Sequence, residues 1–260
     1  MRDIEWVADY YDTETECGSD YRIAEFVLGH ITELEDMSTA DVAQGAFVSK
    51  ATVSRFVRKL GFENYEHFMR AVRDYNHGSR MVNLRLNSHE MQLVTDSPSE
   101  FFDSYVTMVQ RSLDQLAQAV DPLEVDHLIR EMLASPTAFF AFDQPLLLAK
   151  ELQMDLLRKG CLVKLGQNHN KRVQIADSLE AGSLAVVFSN YGAYVQENNA
   201  MLQSLHARGV KLWLITLCYA GPDSLYFDHV TRLTPEPYSN AGIHPMKVLV
   251  EYIIRRLAVL

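Results

Sequence analysis

Seven side chains in one short stretch combine small hydroxyls with long cations: Ser49, Lys50, Thr52, Ser54, Arg55, Arg58 and Lys59. On a helix that begins at residue 50, the hydroxyls and the open backbone N–H groups of the first turn favour anions, phosphate groups above all. An arginine one turn further on can bond a guanine edge through two parallel N–H groups, and additional lysines and arginines neutralise phosphate charge. Ser49, Lys50, Thr52, Ser54 and Arg55 thus form a contact set for base edges and phosphates, with Arg58 and Lys59 on the backbone of a duplex. Spacing alone fits a second reading equally well, an ordinary three-helix bundle whose helices are capped and charged.

These side chains need helices to hold them. Ile23, Phe26, Val27, His30, Ile31 and Leu34 recur at helical spacing and predict a first amphipathic helix from about Tyr21 to Leu34. Ser38 is an N-cap for a short second helix, with Asp41 in place of the usual glutamate of a capping box, and Gly45 is expected to be its left-handed C-cap. Ser49 caps a third helix, Lys50 to Leu60, and Gly61 ends it. Val53, Phe56, Val57 and Leu60 give that helix one apolar face. A short helix, a tight turn and a second helix with Thr, Ser and Arg outward is the arrangement that lays a recognition helix in the major groove.

A net charge of −10 over 260 residues argues against a polyanionic partner until it is divided along the chain. Residues 1–49 hold 2 basic and 12 acidic side chains, residues 50–80 hold 7 and 3, and the remainder 15 and 19. The only segment with a positive balance is the one that carries the contact set. The acidity also supports a different class, a protein-interaction module that binds no DNA. Apolar residues at 48% and charged residues at 22% exclude global disorder. No apolar run approaches the ~20 residues of a membrane span, and the acidic N-terminus lacks the features of a signal peptide. The three cysteines (Cys17, Cys161, Cys218) are far apart, odd in number and never in C-x-x-C spacing, which argues against a cysteine zinc site and a disulfide framework and suits a reducing cytoplasm. There is no nucleophile–base pairing, H-E-x-x-H or P-loop, so no catalytic residue, metal or cofactor is expected.

The chain divides into residues 1–80, a linker at 81–99 and residues 100–260. After the linker, a long helix over Phe101–Val120 turns Phe102, Val106, Val109, Leu113 and Leu116 inward. Strands are expected at Thr137–Phe142, Cys161–Leu165, Leu184–Ser189, Val210–Leu217 and His229–Leu233, with helices at Leu146–Lys159, Lys171–Glu180 and Tyr194–Arg208 between them and a last one at Pro245–Ala258. Short apolar strands alternating with helices imply a parallel sheet covered on both faces. The fold class is therefore an all-α helix-turn-helix domain followed by an α/β domain with a parallel sheet of about five strands flanked by helices.

The stretch Ser38–Val72 resembles the N-terminal domain of the RpiR family of bacterial transcription regulators. The resemblance lies in Ser49, Thr52 and Arg55, followed by Lys59-Leu60-Gly61-Phe62 and the aromatic-containing helix at Tyr65–Phe68. It implies a C-terminal sugar isomerase (SIS) domain, a double-stranded DNA operator, a homodimer or tetramer, and a cytoplasmic regulator of carbohydrate metabolism. The helix at Phe101–Val120 and the C-terminal helix, through Val248, Ile253, Ile254 and Leu257, are candidate interface elements. SIS domains carry Gly-x-Gly-x-Ser after the first strand and Ser-x-Ser-Gly-x-Thr after a later one. Here the first loop is Ala141-Phe142-Asp143-Gln144-Pro145 and the second Ser189-Asn190-Tyr191-Gly192-Ala193-Tyr194. Gln144, Ser189, Asn190, Gly192 and Thr216 are the ligand-binding candidates that remain, and His169 falls where the family often has a polar residue. Asp143 brings a negative charge where a phosphate would sit and Pro145 removes an N–H donor, so the expected effector is small and its being a sugar phosphate is in doubt. Tyr191 and Tyr194 are expected to pack the emptied pocket. The alternative function is a phosphosugar isomerase of the SIS fold.

Overall fold

Short polar caps and single glycines set the boundaries of the first helices. The structure is a computed structural model, and it describes residues 5–13, 18–82, 88–166, 169–217, 221, 225–234 and 242–259. The chain forms two compact units, Met1–Leu86 and Asn87–Leu260.

The first unit is helical: α1 (Glu5–Thr13), α2 (Ser19–Gly29), a 3-10 turn at Leu34–Asp36, α3 (Thr39–Gly45), α4 (Lys50–Lys59) and α5 (Tyr65–Val82). Its core joins Val7, Ile23, Val27, Val42, Val53, Phe56, Val57, Phe68 and Val72. The first amphipathic helix ends at Gly29 instead of Leu34. His30 Nδ1 lies 2.9 Å from the Phe26 carbonyl and its ring stacks on Phe26 at 4.2 Å, which closes the helix end and lets the chain turn. Leu34 still reaches the core from the 3-10 turn.

Gly45 is not the left-handed residue expected of it. It is the last residue of α3, and the positive φ falls two residues later, at Phe47 (φ 54°). Gly45 is required for space, because a Cβ there would lie 2.1 Å from Phe26 Cε2. At the end of α4 the expectation and the geometry coincide: Gly61 has φ 97°, its N–H donates to Arg58 O and the Phe62 N–H to Val57 O, and Phe62 is buried.

The second unit begins with α6 (Ser88–Asp96), which lies inside the segment 81–99 read as a linker, and residues 83–87 of that segment are outside the described residues. It continues with α7 (Pro98–Ala119), α8 (Pro122–Ala134), β1 (Thr137–Phe140), α9 (Asp143–Arg158), β2 (Val163–Leu165), α10 (His169–Asp177), β3 (Leu184–Phe188), α11 (Ala193–Glu197), α12 (Asn199–Ala207), β4 (Lys211–Thr216), β5 (His229–Arg232) and α13 (His244–Leu257). The sheet is parallel throughout, in the order β2-β1-β3-β4-β5. Alternate side chains go to opposite layers. Phe139, Val186, Phe188, Trp213 and Ile215 face α7, α8, α9 and α13, whereas Phe140, Val187, Leu212 and Leu214 face α10, α11 and α12.

Three differences from expectation have local causes. The single helix over Tyr194–Arg208 is broken at Asn198, whose backbone and side-chain N–H groups both donate to the Tyr194 carbonyl at 3.0 Å and so close the end of α11. On α7, Leu116 is buried and Val109 and Leu113 half-buried, but Phe102 is 64% exposed and Val106 is also exposed. The helix continues N-terminally beyond the apolar surface that could cover them. On α13, Ile253 and Leu257 lie in the core of their own chain, leaving Val248 exposed and Ile254 partly buried.

Candidate nucleic-acid interface

α4 carries the contact set, and its N-terminus is built by the side chains themselves. Ser49 stands in extended backbone (φ −83°, ψ 154°) and its hydroxyl accepts from the Thr52 N–H at 3.1 Å. The Ser49 and Thr52 hydroxyls are 2.8 Å apart, and the Arg55 guanidinium donates to Thr52 Oγ1 at 3.4 Å. Residues 49, 52 and 55 follow one another at intervals of three along one helix face, so the chain of contacts aligns hydroxyl, hydroxyl and guanidinium. Val53, Phe56 and Val57 bury the opposite side of α4. Lys50, Arg55, Arg58 and Lys59 are exposed, and Ser54 is half-exposed.

Lys59 has a different environment from the other cations. Its ammonium donates to Asp20 at 3.0 Å and to the Tyr10 hydroxyl at 3.1 Å, and it lies 4.7 Å from the Tyr10 ring centroid. The hydrogen bond to Tyr10, followed by that to Asp20, raises its pKa above the ordinary lysine value. The sequence of the acidic segment Asp9–Asp20 assigns it no partner. Its described ends, residues 9–13 and 18–20, place Tyr10 and Asp20 on the basic helix of their own unit. Alternation of charge along the chain was the available signal: an acidic first turn on α2 meets a basic last turn on α4.

The short helix before α4 is fixed just as locally. The Ser38 hydroxyl accepts from the N–H groups of Ala40 and Asp41, and the Ser38 N–H and hydroxyl both donate to the Asp41 carboxylate, at 2.7 and 2.6 Å. Those bonds hold the Asp41 carboxyl below its ordinary pKa. Behind the turn, Tyr65 donates to the Met37 carbonyl at 3.0 Å, and burial, with a smaller effect from Asp41, pushes its phenol up to about 12.

In the second unit, Ser189, Asn190, Gly192 and Thr216 come together at the carboxyl ends of β3 and β4. Thr216 Oγ1 donates to the Asn190 carbonyl at 3.1 Å, and the buried Ser189 hydroxyl accepts from the Tyr194 N–H at 3.2 Å. Gly192 has φ 82° and starts α11. Gln144 is exposed in the first turn of α9, next to Asp143 at φ 54°. In a sheet of this order the strand connections diverge between β1 and β3, which is where parallel α/β sheets leave a crevice for ligands. Here aromatic rings occupy it: Tyr194 is wholly buried, packed on Phe142 at 4.8 Å and near Phe140 at 6.5 Å. Tyr191 is half-buried against the other core layer. The His169 side chain, Cys17 and Cys218 lie outside the described residues. Among the described residues there is no group of three or more His, Cys, Asp or Glu that could hold a metal ion, and no helix is long and apolar enough to cross a membrane.

Comparison with known proteins covers both units. Over 204 residues the chain is 22% identical to the uncharacterized HTH-type transcriptional regulator in the aarA 3′ region of Providencia stuartii, spanning 76% of this chain and 69% of that one. Over 202 residues it is 24% identical to the HTH-type transcriptional regulator HexR of Pseudomonas aeruginosa, spanning 74% and 69%. The fold is similar to that of the Vibrio vulnificus NanR protein complexed with ManNAc-6P, at a TM-score of 0.52 and 15% identity, over 99% of this chain and 91% of that one. Residues 13–77, which hold Asp20 and the capped helices α3 and α4, match the helix-turn-helix domain of the rpiR family. The chain thus carries a helix-turn-helix domain of the rpiR family at residues 13–77, followed by an α/β unit whose fold is similar to that of the corresponding part of NanR.

Proposed function

We propose that the protein is a sequence-specific DNA-binding transcription regulator of carbohydrate metabolism. The observation that carries this reading is the Ser49–Thr52–Arg55 chain of contacts on the exposed face of α4. It presents two hydroxyls and a guanidinium in fixed order, with Lys50 and Arg58 exposed beside them for phosphates. Lys59 contributes less, since Asp20 already neutralises it. The assignment of an operator, a double-stranded DNA, follows from the same face.

In this reading the unit from Asn87 onward joins copies into a homodimer or tetramer in the cytoplasm, and two α4 helices meet successive major grooves of a near-palindromic site. Gln144, Ser189, Asn190, Gly192 and Thr216 rim the site of a small effector that binds one arrangement of the readers better than another. The NanR protein was solved with a sugar phosphate. In this chain Asp143 and the Tyr194 ring favour an effector of lower negative charge. A phosphosugar isomerase is disfavoured by the same two residues, and the protein is read as a non-enzyme. A turnover assay with phosphosugars, expected to show none, checks this.

The decisive experiment selects duplexes from a random library with the full chain, then measures affinity across salt concentrations. Affinity for the selected site should fall linearly on a log–log plot. Arg55→Ala should weaken that affinity by about 1–3 kcal/mol and leave the melting temperature unchanged. Full affinity in Arg55→Ala would remove α4 as the reader.

A further inference from the structure

We propose that Phe47 is a specificity-determining residue of the DNA interface, its ring packing on the C5-methyl group of a thymine. This inference rests on the reading of α4 as recognition helix. Phe47 lies in the turn between α3 and α4, two residues before Ser49. Its φ of 54° is a conformation that bulky L-residues rarely adopt and that glycine adopts freely. Its side chain is 83% exposed, while Ala46 is buried and Val48 packs on the core of the unit. The turn itself is held by backbone bonds, from Phe47 N–H to Gln44 O and from Val48 N–H to Ala43 O. Those bonds need no aromatic ring, so the phenyl group stands exposed on a backbone conformation that glycine would adopt more freely. It stands at the end of α4 that carries the Ser49 and Thr52 hydroxyls. The contact set on α4 offers hydroxyls and cations, with the Thr52 methyl as its one small apolar group and no aromatic ring. An apolar ring packs on a methyl group, and the thymine methyl is the one apolar feature on a base edge in the major groove.

The test uses the full chain and the duplex selected by the wild-type protein. Phe47→Gly should raise the melting temperature, because glycine relieves the backbone, yet bind the selected duplex roughly tenfold more weakly. The salt dependence should not change, since no charge is removed. Phe47→Ala keeps the strained φ and should lose the same affinity without the gain in melting temperature. Replacing one thymine by deoxyuridine, which removes only the methyl group, should weaken the wild type and leave Phe47→Gly unaffected. If Arg55→Ala loses binding while Phe47→Gly binds as tightly as the wild type and responds to deoxyuridine identically, the proposal for Phe47 is overturned and the recognition helix stands. If Arg55→Ala also binds fully, both fall together. A Phe47→Gly variant that keeps DNA affinity but loses self-association on a sizing column would overturn the DNA assignment in favour of a protein contact.

Discussion

The ammonium of Lys59, in the last turn of α4, lies 3.0 Å from the carboxylate of Asp20, in the first turn of α2. Each charge sits at the helix end whose dipole favours it, a cation at a C-terminus and an anion at an N-terminus. The pair therefore ties two helices of the first unit together and removes one positive charge from the face of α4 proposed to meet DNA.

Asp20→Asn should separate those two effects. The pair is largely exposed, with side chains 53% and 29% accessible, so the loss of stability should be no more than about 1 kcal/mol. DNA affinity should rise, and the slope of affinity against salt should steepen, as Lys59 becomes available for a phosphate. Lys59→Ala should weaken binding less than Arg55→Ala does. Melting curves and salt-series binding isotherms read both outcomes.

Gly45→Ala tests the close approach of α3 to Phe26. Alanine is the better helix former by about 1 kcal/mol, but its Cβ would lie 2.1 Å from the Phe26 ring and displace the ring from its stack on His30. The net effect should be a loss of about 1–2 kcal/mol by urea denaturation. In a Phe26→Ala background the obstruction is gone, and the same substitution should become stabilising.

The sequence shows α3 and α4 clearly because their signals are local: Ser38 with Asp41 three residues on, Ser49 before an apolar stripe, Gly61 before Phe62. The five strands are legible for the same reason, as short apolar runs. The role of Gly45 was not, because what it makes room for is a ring nineteen positions earlier on another helix. Nor was the partner of Lys59: the acidic stretch before the basic one signals that the two could meet, but not that Asp20 is the residue that does. α8 was overlooked although Asp121 caps it, Pro122 opens it and Val125, Leu128, Ile129 and Met132 line its buried face. Its length was absorbed into the gap between a long helix and the first strand. The crevice loops were recognised through resemblance, and with them the inward packing of Tyr194, whose neighbours Phe140 and Phe142 only the structure names.

Acid should weaken the two units through different carboxylates. Ser38 holds the Asp41 pKa down in the first unit, and a two-pronged pair with Arg256 at 2.8 and 2.6 Å does so for Asp126 in the second. A carboxyl whose folded pKa lies below its unfolded value adds stability above the unfolded value, and that stability is lost as pH falls through the folded one. Asp41→Asn and Asp126→Asn should therefore each be less stable than the wild type at pH 7. The differences should vanish near the bottom of the acid limb in urea titrations run at successive pH values.

Trp213 offers a test inside the sheet. It is buried, its ring stacks on His229 at 4.1 Å, and its indole N–H donates to Thr231 Oγ1 at 2.8 Å. Thr231→Val keeps the shape and leaves the indole N–H unpaired, at a cost of about 1–3 kcal/mol. Calorimetry of the full chain should show that loss in the transition of the α/β unit.

The order of the strands also sets a timetable. α3 and α4 close their ends with bonds between residues three to five apart, whereas Thr137 in β1 finds its neighbour Leu184 only after a helix, β2 and another helix have been made. Contacts between distant stretches form late. In refolding followed by pulsed hydrogen exchange, amides of α3 and α4 should be protected while those of β1 and β3 still exchange, and a nascent chain would present its helical unit finished before its sheet.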